Sequence, residues 1–225
     1  MITSFSVKPN SPEESILFFK SADLTQFESR VILLFGPNGV GKSTLIKALE
    51  DNKLDIVTDK PTQFYSYQNA RDNFKNREPR SYLESFEPWF IKYKFDARTI
   101  SEGQSIIYSF FDLLDCFKDY ESLPILKSQD YLLLLDEIDS GMSIDNIDTT
   151  MRKIKYLLRV RNDLQIIMSF NSPRILKWFP DVLSMYDGTK LTLHTDEDMI
   201  QEIRKHKKEF DKARKTSKGR PKVAV

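Results

Sequence analysis

Cysteine is nearly absent from this chain of 225 residues, because Cys116 is the only one. An intrachain disulfide is therefore excluded, and the composition fits a reducing compartment. The two histidines, His194 and His206, leave little material for a zinc site. No apolar run approaches the roughly 20 residues that a membrane-spanning helix needs. The first ten residues also lack the basic start and apolar stretch of a signal peptide. These absences predict a cytoplasmic protein with no membrane partner.

Charge is balanced overall but unevenly distributed. The net charge is +1, yet ten Lys/Arg and only two Asp/Glu lie between Arg204 and Lys222. We therefore predict one domain over residues 1–200, with a variable or helical insertion at about 51–100, and a basic C-terminal helix or tail over 201–225. The tail is either a contact for nucleic-acid phosphates or a solvated helix with a frayed end.

Short apolar runs alternate with amphipathic segments, which predicts an α/β fold with a mainly parallel sheet flanked by helices. Continuous apolar runs predict buried strands at 31–35, 131–135 and 165–170. Helical spacing predicts helices at 43–49, from residue 105 onwards and at 144–161. The alternating pattern at 2–7, followed by a turn at 9–12 and a returning strand at 16–20, predicts an N-terminal antiparallel β element.

A glycine-rich segment follows the first of these buried strands. Residues 36–43 read Gly-Pro-Asn-Gly-Val-Gly-Lys-Ser and match the phosphate-binding pattern G-x-x-x-x-G-K-[ST] between a strand and a helix. Backbone N–H groups in such a loop surround phosphate oxygens at the positive end of the new helix. We expect Lys42 to neutralise the β- and γ-phosphates and Ser43 to offer its hydroxyl to Mg²⁺. The predicted phosphate contacts are Gly36, Pro37, Asn38, Gly39, Val40, Gly41, Lys42, Ser43 and Thr44.

Two acids end the second buried strand. Four leucines precede Asp136 and Glu137, and the carboxyl ends of parallel strands are where ligands bind in such sheets. We expect Asp136 to hold Mg²⁺ and Glu137 to polarise an attacking water as a general base.

A third element, Ser101-Glu102-Gly103-Gln104-Ser105, stands before the helix predicted from residue 105. Ser101 is also a suitable N-cap for that helix. The order along the chain is a phosphate loop, this element, the Leu-rich Asp-Glu pair and then Ser-Gly-Met-Ser. In that order the chain resembles the ABC-type ATPase superfamily, and within it the stand-alone bacterial and phage ATPases that lack a transporter domain.

The resemblance implies a P-loop NTPase fold with a small helical subdomain, and ATP and Mg²⁺ as cofactors. It also implies an ATP-dependent homodimer, in which Ser101, Gly103 and Ser105 contact the ATP held by the other copy. One further metal ligand is a glutamine; Gln68 is preferred and Gln63 is the alternative. DNA-repair ATPases are implied as distant cousins.

One departure from the family pattern concerns the switch histidine, which is replaced by Asn171 at the end of the strand predicted at 165–170. Asparagine donates a hydrogen bond but cannot take a proton near neutral pH. We therefore predict slow basal ATP hydrolysis with Glu137, Asn171 and Lys42 as the catalytic residues.

Three interpretations of the function remain open. The chain is an ATPase, or a nucleotide-switched interaction module with negligible turnover, or a nucleic-acid-associated factor in repair or in phage–host conflict. A nucleic-acid or protein partner is possible in each. The aromatic residues between Phe64 and Phe95 either stack on nucleic-acid bases or belong to a core or dimer contact.

Overall fold

The computed structural model describes residues 1–9, 11–68 and 130–218, and its architecture is mixed α/β with two sheets. The predicted fold class is confirmed: a mostly parallel sheet is flanked by helices, and an antiparallel sheet lies at the N-terminal end of the chain. The predicted small helical subdomain lies outside the described residues. None of the helices within the described ranges combines the length and apolar character that a membrane crossing requires.

The central sheet contains β3 (Val31–Phe35), β5 (Thr62–Gln68), β6 (Asp130–Asp136), β7 (Leu164–Ser169), β8 (Asp181–Ser184) and β9 (Lys190–Thr192). Their spatial order is β5-β6-β7-β3-β8-β9, and each pair is parallel except β8 with β9. The three strands at the centre, β6, β7 and β3, are the ones predicted as buried runs. Their carboxyl ends therefore lie along one edge of the sheet.

Successive side chains of a strand point to opposite faces of the sheet, so both faces of this sheet are apolar and both are covered by helices. Leu33 and Leu133 pack on one face with residues of α2 (Ile144–Val160). Leu34 and Leu134 pack on the other face with residues of α1 (Lys42–Glu50) and of the antiparallel sheet. The sheet is thus the middle layer of a sandwich, with α1 and α2 on opposite sides.

The antiparallel sheet consists of β2 (Ser21–Asp23), β1 (Ile2–Val7) and β4 (Leu54–Thr58), in that order. The strand predicted at 16–20 is wrong. A 3₁₀ helix, Pro12–Ser15, precedes that segment, and the Glu13 carbonyl accepts hydrogen bonds from the N–H groups of Ile16 and Leu17. Leu17 and Phe19 of this apolar segment are buried in the core, but the segment is not one of the strands of the antiparallel sheet.

The predicted insertion at 51–100 also needs correction. Strands β4 and β5 lie inside that range and belong to the two sheets, so residues 54–68 are part of the main fold. The remainder of the range, 69–100, lies outside the described residues.

Helix α3 (Asp196–Lys218) crosses the predicted boundary at 200/201. Phe210 on this helix is buried, and its ring lies 5.5 Å from that of Phe18, between ring centroids. Met199 and Ile203 pack against the core as well. A division after residue 200 would therefore cut through a helix that is docked on the domain at least as far as Phe210.

Candidate functional site

The glycine-rich segment forms a tight loop between the end of β3 and the start of α1. Gly41 directly precedes α1 with a φ of +103°, a conformation that suits glycine because it has no side chain. A Cβ atom at Gly36 would lie only 2.7 Å from Val40 Cγ1, so a side chain is excluded there too. The loop thus brings its backbone N–H groups to the N-terminus of α1, where anions bind.

Lys42 is buried within this loop. Its Nζ donates hydrogen bonds to the carbonyl oxygens of Gly36, at 2.7 Å, and Pro37, at 3.4 Å. Burial lowers the pKa of Lys42, and the charges of Glu137, Asp136 and Asp139 oppose that shift. The carboxylates at this edge of the sheet thus favour the charged form of Lys42, while its burial disfavours that form.

Hydroxyl groups connect this loop to the acidic end of β6. Ser43 Oγ on α1 donates to Asp136 Oδ1 at 3.1 Å, and Ser169 Oγ at the end of β7 donates to the same oxygen at 2.6 Å. Ser169 Oγ in turn accepts the backbone N–H of Glu137 at 2.7 Å. The chain of contacts Ser43, Asp136, Ser169 and Glu137 joins three elements, and Ser169 was not predicted from the sequence.

Glu137 has an unusual backbone conformation. Its φ is +48°, in the left-handed region that non-glycine residues occupy only at a cost of about 1–3 kcal/mol. The next residue, Ile138, is fully buried and anchors the turn in the core. The strain is compatible with a side chain that is positioned for a function rather than for stability.

Asp139 ties this acidic turn to the segment after β7. Its Oδ2 accepts hydrogen bonds from the backbone N–H groups of Asn171, at 2.8 Å, and Ser172. Burial raises the pKa of Asp139, while these hydrogen bonds and Lys42 oppose the shift. Asn171 itself is exposed at the carboxyl end of β7. Asp139 thus fixes the position of Asn171 relative to Glu137, a role that the sequence did not predict.

Most of the predicted site residues that the structure describes lie along one edge of the sheet. The loop from Gly36 to Thr44, Asp136, Glu137 and Asn171 follow the carboxyl ends of β3, β6 and β7. The predicted contacts Ser101, Gly103 and Ser105 lie outside the described residues.

The two candidate glutamines lie at opposite ends of β5. The backbone of Gln68 pairs with Asp136 at the carboxyl edge, whereas Gln63 pairs with Tyr131. Five residues of strand separate them, which is about 16 Å. The register therefore favours Gln68 as the glutamine of the site.

The donor set suits a magnesium ion. The hydroxyl of Ser43 and the carboxylate of Asp136 are hard oxygen ligands that lie within hydrogen-bond distance of each other, and Mg²⁺ binds through one or two such groups together with phosphate oxygens and water. A pocket of about 230 Å³ opens beside the start of α1 and is lined by Glu13, Ser43, Thr44, Lys47, Ala48 and Lys53. It adjoins the phosphate loop through Ser43 and Thr44.

No protein-family model matches the chain, and no curated protein matches it. Solved structures of similar fold include a putative metal-chelate type ABC transporter in an inward-facing conformation, at 17% identity and a TM-score of 0.48, over 88% of this chain and 85% of that one. Another is cbiO1 from Clostridium perfringens, part of the ABC transporter complex cbiONQ, at 16% identity and a TM-score of 0.49, over 91% of this chain and 94% of that one. A third is the dimeric ATP-binding cassette MJ0796 bound to ADP and Pi, at 14% identity and a TM-score of 0.46, over 87% of this chain and 100% of that one.

Proposed function

We propose that this protein binds ATP with Mg²⁺ and hydrolyses it, as an ATPase of the ABC type. The observation that carries the proposal is the hydrogen-bonded chain from Ser43 through Asp136 and Ser169 to the backbone of Glu137, beside a phosphate loop that holds Lys42. This arrangement combines an anion site, a pair of oxygen ligands for a metal and an acid placed just beyond them.

Each residue of the site has a separate role in this proposal. Loop N–H groups and the N-terminus of α1 bind the phosphates, and Lys42 moves its hydrogen bonds from the Gly36 carbonyl to phosphate oxygens. Ser43 and Asp136 would hold Mg²⁺, which would supply positive charge against the phosphates. Glu137 accepts a hydrogen bond from the attacking water and orients it as a general base. Asn171 donates its side-chain amide to the γ-phosphate or to that water.

Two copies complete the site in this proposal. The contacts Ser101, Gly103 and Ser105 act on the ATP held by the other copy, as the resemblance to the ABC-type family implies. Such a dimer forms only when ATP occupies the interface, so association depends on nucleotide and Mg²⁺.

A second candidate function is a nucleotide-controlled interaction module with negligible turnover. It is favoured by Asn171, because a neutral amide stabilises developing charge less than a histidine that can become protonated. In that case ATP binding alone drives the change in association, and hydrolysis serves no purpose on the time scale of the interaction.

The test is the Glu137→Gln variant, which keeps the shape of the side chain but cannot act as a base. We expect ATP affinity close to the parent's in a titration, loss of phosphate release, and a dimer in ATP and Mg²⁺ by light scattering. Glu28→Gln, at an exposed position, is the matched control and should behave as the parent protein.

Three outcomes separate the alternatives. Phosphate release by Glu137→Gln at the parent's rate contradicts the assignment of Glu137, whereas a parent protein that dimerises with ATP without releasing phosphate supports the interaction module. If Glu137→Gln remains a monomer at saturating ATP and Mg²⁺, the dimer is refuted.

A further inference from the structure

Basic side chains cluster on the C-terminal helix, α3. Arg204, Lys205, Lys207 and Lys208 lie within five consecutive positions, and all four are exposed. We define these four residues as the α3 basic surface; none of them takes part in the site described above. Eight Lys/Arg and two Asp/Glu lie between Arg204 and Lys218, whereas the whole chain carries only +1. The rest of the chain is therefore net acidic, and positive charge is concentrated on this part of α3.

The apolar side of α3 is already occupied. Met199 and Ile203 pack against the core, and Phe210 is buried. The ring of His206 stacks on that of Tyr186, with 4.4 Å between the ring centroids. Positions 199, 203, 206 and 210 are separated by four, three and four residues, so they form one stripe along the helix. This stripe faces the domain, and the α3 basic surface lies outside it.

Most cations of the α3 basic surface are unpaired. Lys205 Nζ lies 3.2 Å from Glu202 Oε1, but the other three form no ion pair within the residues that the structure describes. Asp211 lies one helical turn beyond Lys207 and Lys208 and is exposed. Three unpaired cations thus outnumber the acid beside them, and the surface presents a net positive charge to solvent.

The spacing of the cations suits a regular polyanion. Arg204 and Lys208 are four residues apart, so they lie on one side of the helix, about 6 Å apart along its axis. The sequence has lysine at the next positions of the same series, Lys212 and Lys215. The helical segment 204–218 is about 22 Å long, and a nucleic-acid duplex carries one negative charge per about 1.7 Å of its axis. Several phosphates therefore lie within the length of this row.

We propose that the α3 basic surface binds the phosphate backbone of a nucleic-acid duplex, without regard to its sequence. A single strand is less well suited, because sites for single strands stack the bases on aromatic rings. The aromatic rings of α3 are those of His206 and Phe210, and both are packed against the domain.

A membrane surface or an acidic protein segment is also less well suited, because both bury apolar side chains of the surface that they contact. The apolar stripe of α3 is already buried within the domain. Among the described residues of the helix, Ile200 is the large hydrophobic residue that is exposed, at 41%. Binding through phosphate contacts needs no apolar side chain, and at this surface it does not depend on the nucleotide site.

The experiment measures binding of the full chain to a fluorescein-labelled DNA duplex of 20 base pairs by anisotropy, over a range of salt concentrations. The double variant Arg204→Glu/Lys208→Glu should bind about tenfold more weakly or worse. Its slope of log K against log salt should be smaller by about 1.8, since each phosphate contact on a duplex contributes about 0.9.

Asp211→Lys should have the opposite effect, because a cation replaces the acid beside Lys207 and Lys208. We expect its affinity for the duplex to rise about threefold or more, with a steeper dependence on salt. A gain of affinity cannot result from loss of the fold.

Lys60→Glu/Arg159→Glu is the matched control, because it makes the same change of charge at exposed positions on elements other than α3. It should keep the parent's affinity within about twofold, and circular dichroism should show all variants folded. A further double variant, Arg220→Glu/Lys222→Glu, makes the same change in the segment that follows α3.

Four results would overturn the proposal. The first is the absence of duplex binding by the parent protein at low salt. The second is parent-like affinity in both Arg204→Glu/Lys208→Glu and Asp211→Lys. The third is binding that is lost in Arg220→Glu/Lys222→Glu and retained in Arg204→Glu/Lys208→Glu. The fourth is displacement of the duplex by oligo(dT) or by poly-glutamate as effectively as by unlabelled duplex of equal charge, which would identify a single strand or an acidic protein segment as the partner.

Discussion

Removal of one hydroxyl group, in Ser169→Ala, tests the arrangement on which the proposed site depends. Ser169 is fully buried, and its Oγ both accepts the Glu137 N–H at 2.7 Å and donates to Asp136 Oδ1 at 2.6 Å. An unpaired buried N–H costs about 1–3 kcal/mol, and a hydrogen bond to a charged group contributes about 1.5–3 kcal/mol. Because alanine fits the same space, these two terms together predict that the free energy of unfolding falls by about 2.5–6 kcal/mol.

The same substitution should reduce turnover. Without Ser169 Oγ, the strained backbone at Glu137 loses a tether, and displacement of a catalytic group by about 1 Å can cost roughly 10²-fold in rate. We expect phosphate release to slow by about 10- to 100-fold and the Mg²⁺ concentration for half-maximal rate to change, since Asp136 loses a donor.

Ser184→Ala is the matched control for this variant. Ser184 is also buried, at the carboxyl end of β8 in the same sheet, but its Oγ accepts from the backbone N–H of Tyr186, at 3.3 Å, outside the site. Urea unfolding gives the stability of both variants, and phosphate release at several Mg²⁺ concentrations gives their activity. Parent-like turnover and Mg²⁺ dependence in folded Ser169→Ala would refute the role of the hydrogen-bonded chain.

Three further predictions concern other residues. Lys42→Ala should bind ATP about 10- to 100-fold more weakly by calorimetric titration, because it removes charge-assisted hydrogen bonds worth about 1.5–3 kcal/mol each; unchanged affinity would exclude the phosphate-loop assignment. Asn171→His should raise basal phosphate release and Asn171→Ala should lower it, and equal rates in all three proteins would mean that Asn171 does not contact the reacting groups. Asp148→Asn should destabilise the fold in urea, most strongly near neutral pH. Arg174 and Trp178 hold the pKa of Asp148 well below its usual range. The ionised carboxylate therefore stabilises the fold above about pH 3.9, and this contribution is lost as pH falls further. A stability difference between Asp148→Asn and the parent that grows on acidification would contradict this sign.

The central strands could be predicted from sequence because their residues are apolar on both faces. β3, β6 and β7 are continuous buried runs, and the observed bounds differ from the predicted ones by at most one residue at each end. β5 was missed since its sequence, TQFYSYQ, mixes polar and aromatic residues and lacks such a run. The strand predicted at 16–20 was wrong because an apolar segment can bury side chains, here Leu17 and Phe19, without pairing in a sheet.

The site, too, could be predicted only in part from the sequence. The loop from Gly36 to Ser43 is a local pattern, and sequence alone locates it. The parts played by Ser169 and Asp139 depend on contacts between residues 32 and 33 positions apart, and such contacts follow from the order of strands in the sheet. A serine at the end of a strand, or an aspartate in a turn, carries no signal of its own. The register of β5 on β6 favours the preferred Gln68 over Gln63, and such a register is likewise not visible in the sequence.

The left-handed backbone at Glu137 places the stability of the fold in conflict with the proposed activity. Glycine adopts this conformation without steric penalty, although its own flexibility in the unfolded chain offsets part of the gain by about 0.4–1 kcal/mol. A Glu137→Gly protein should therefore be at least as stable as the parent while losing ATP turnover. If that holds, the glutamate at this position lowers the stability of the fold, and the role proposed for its side chain would account for its presence.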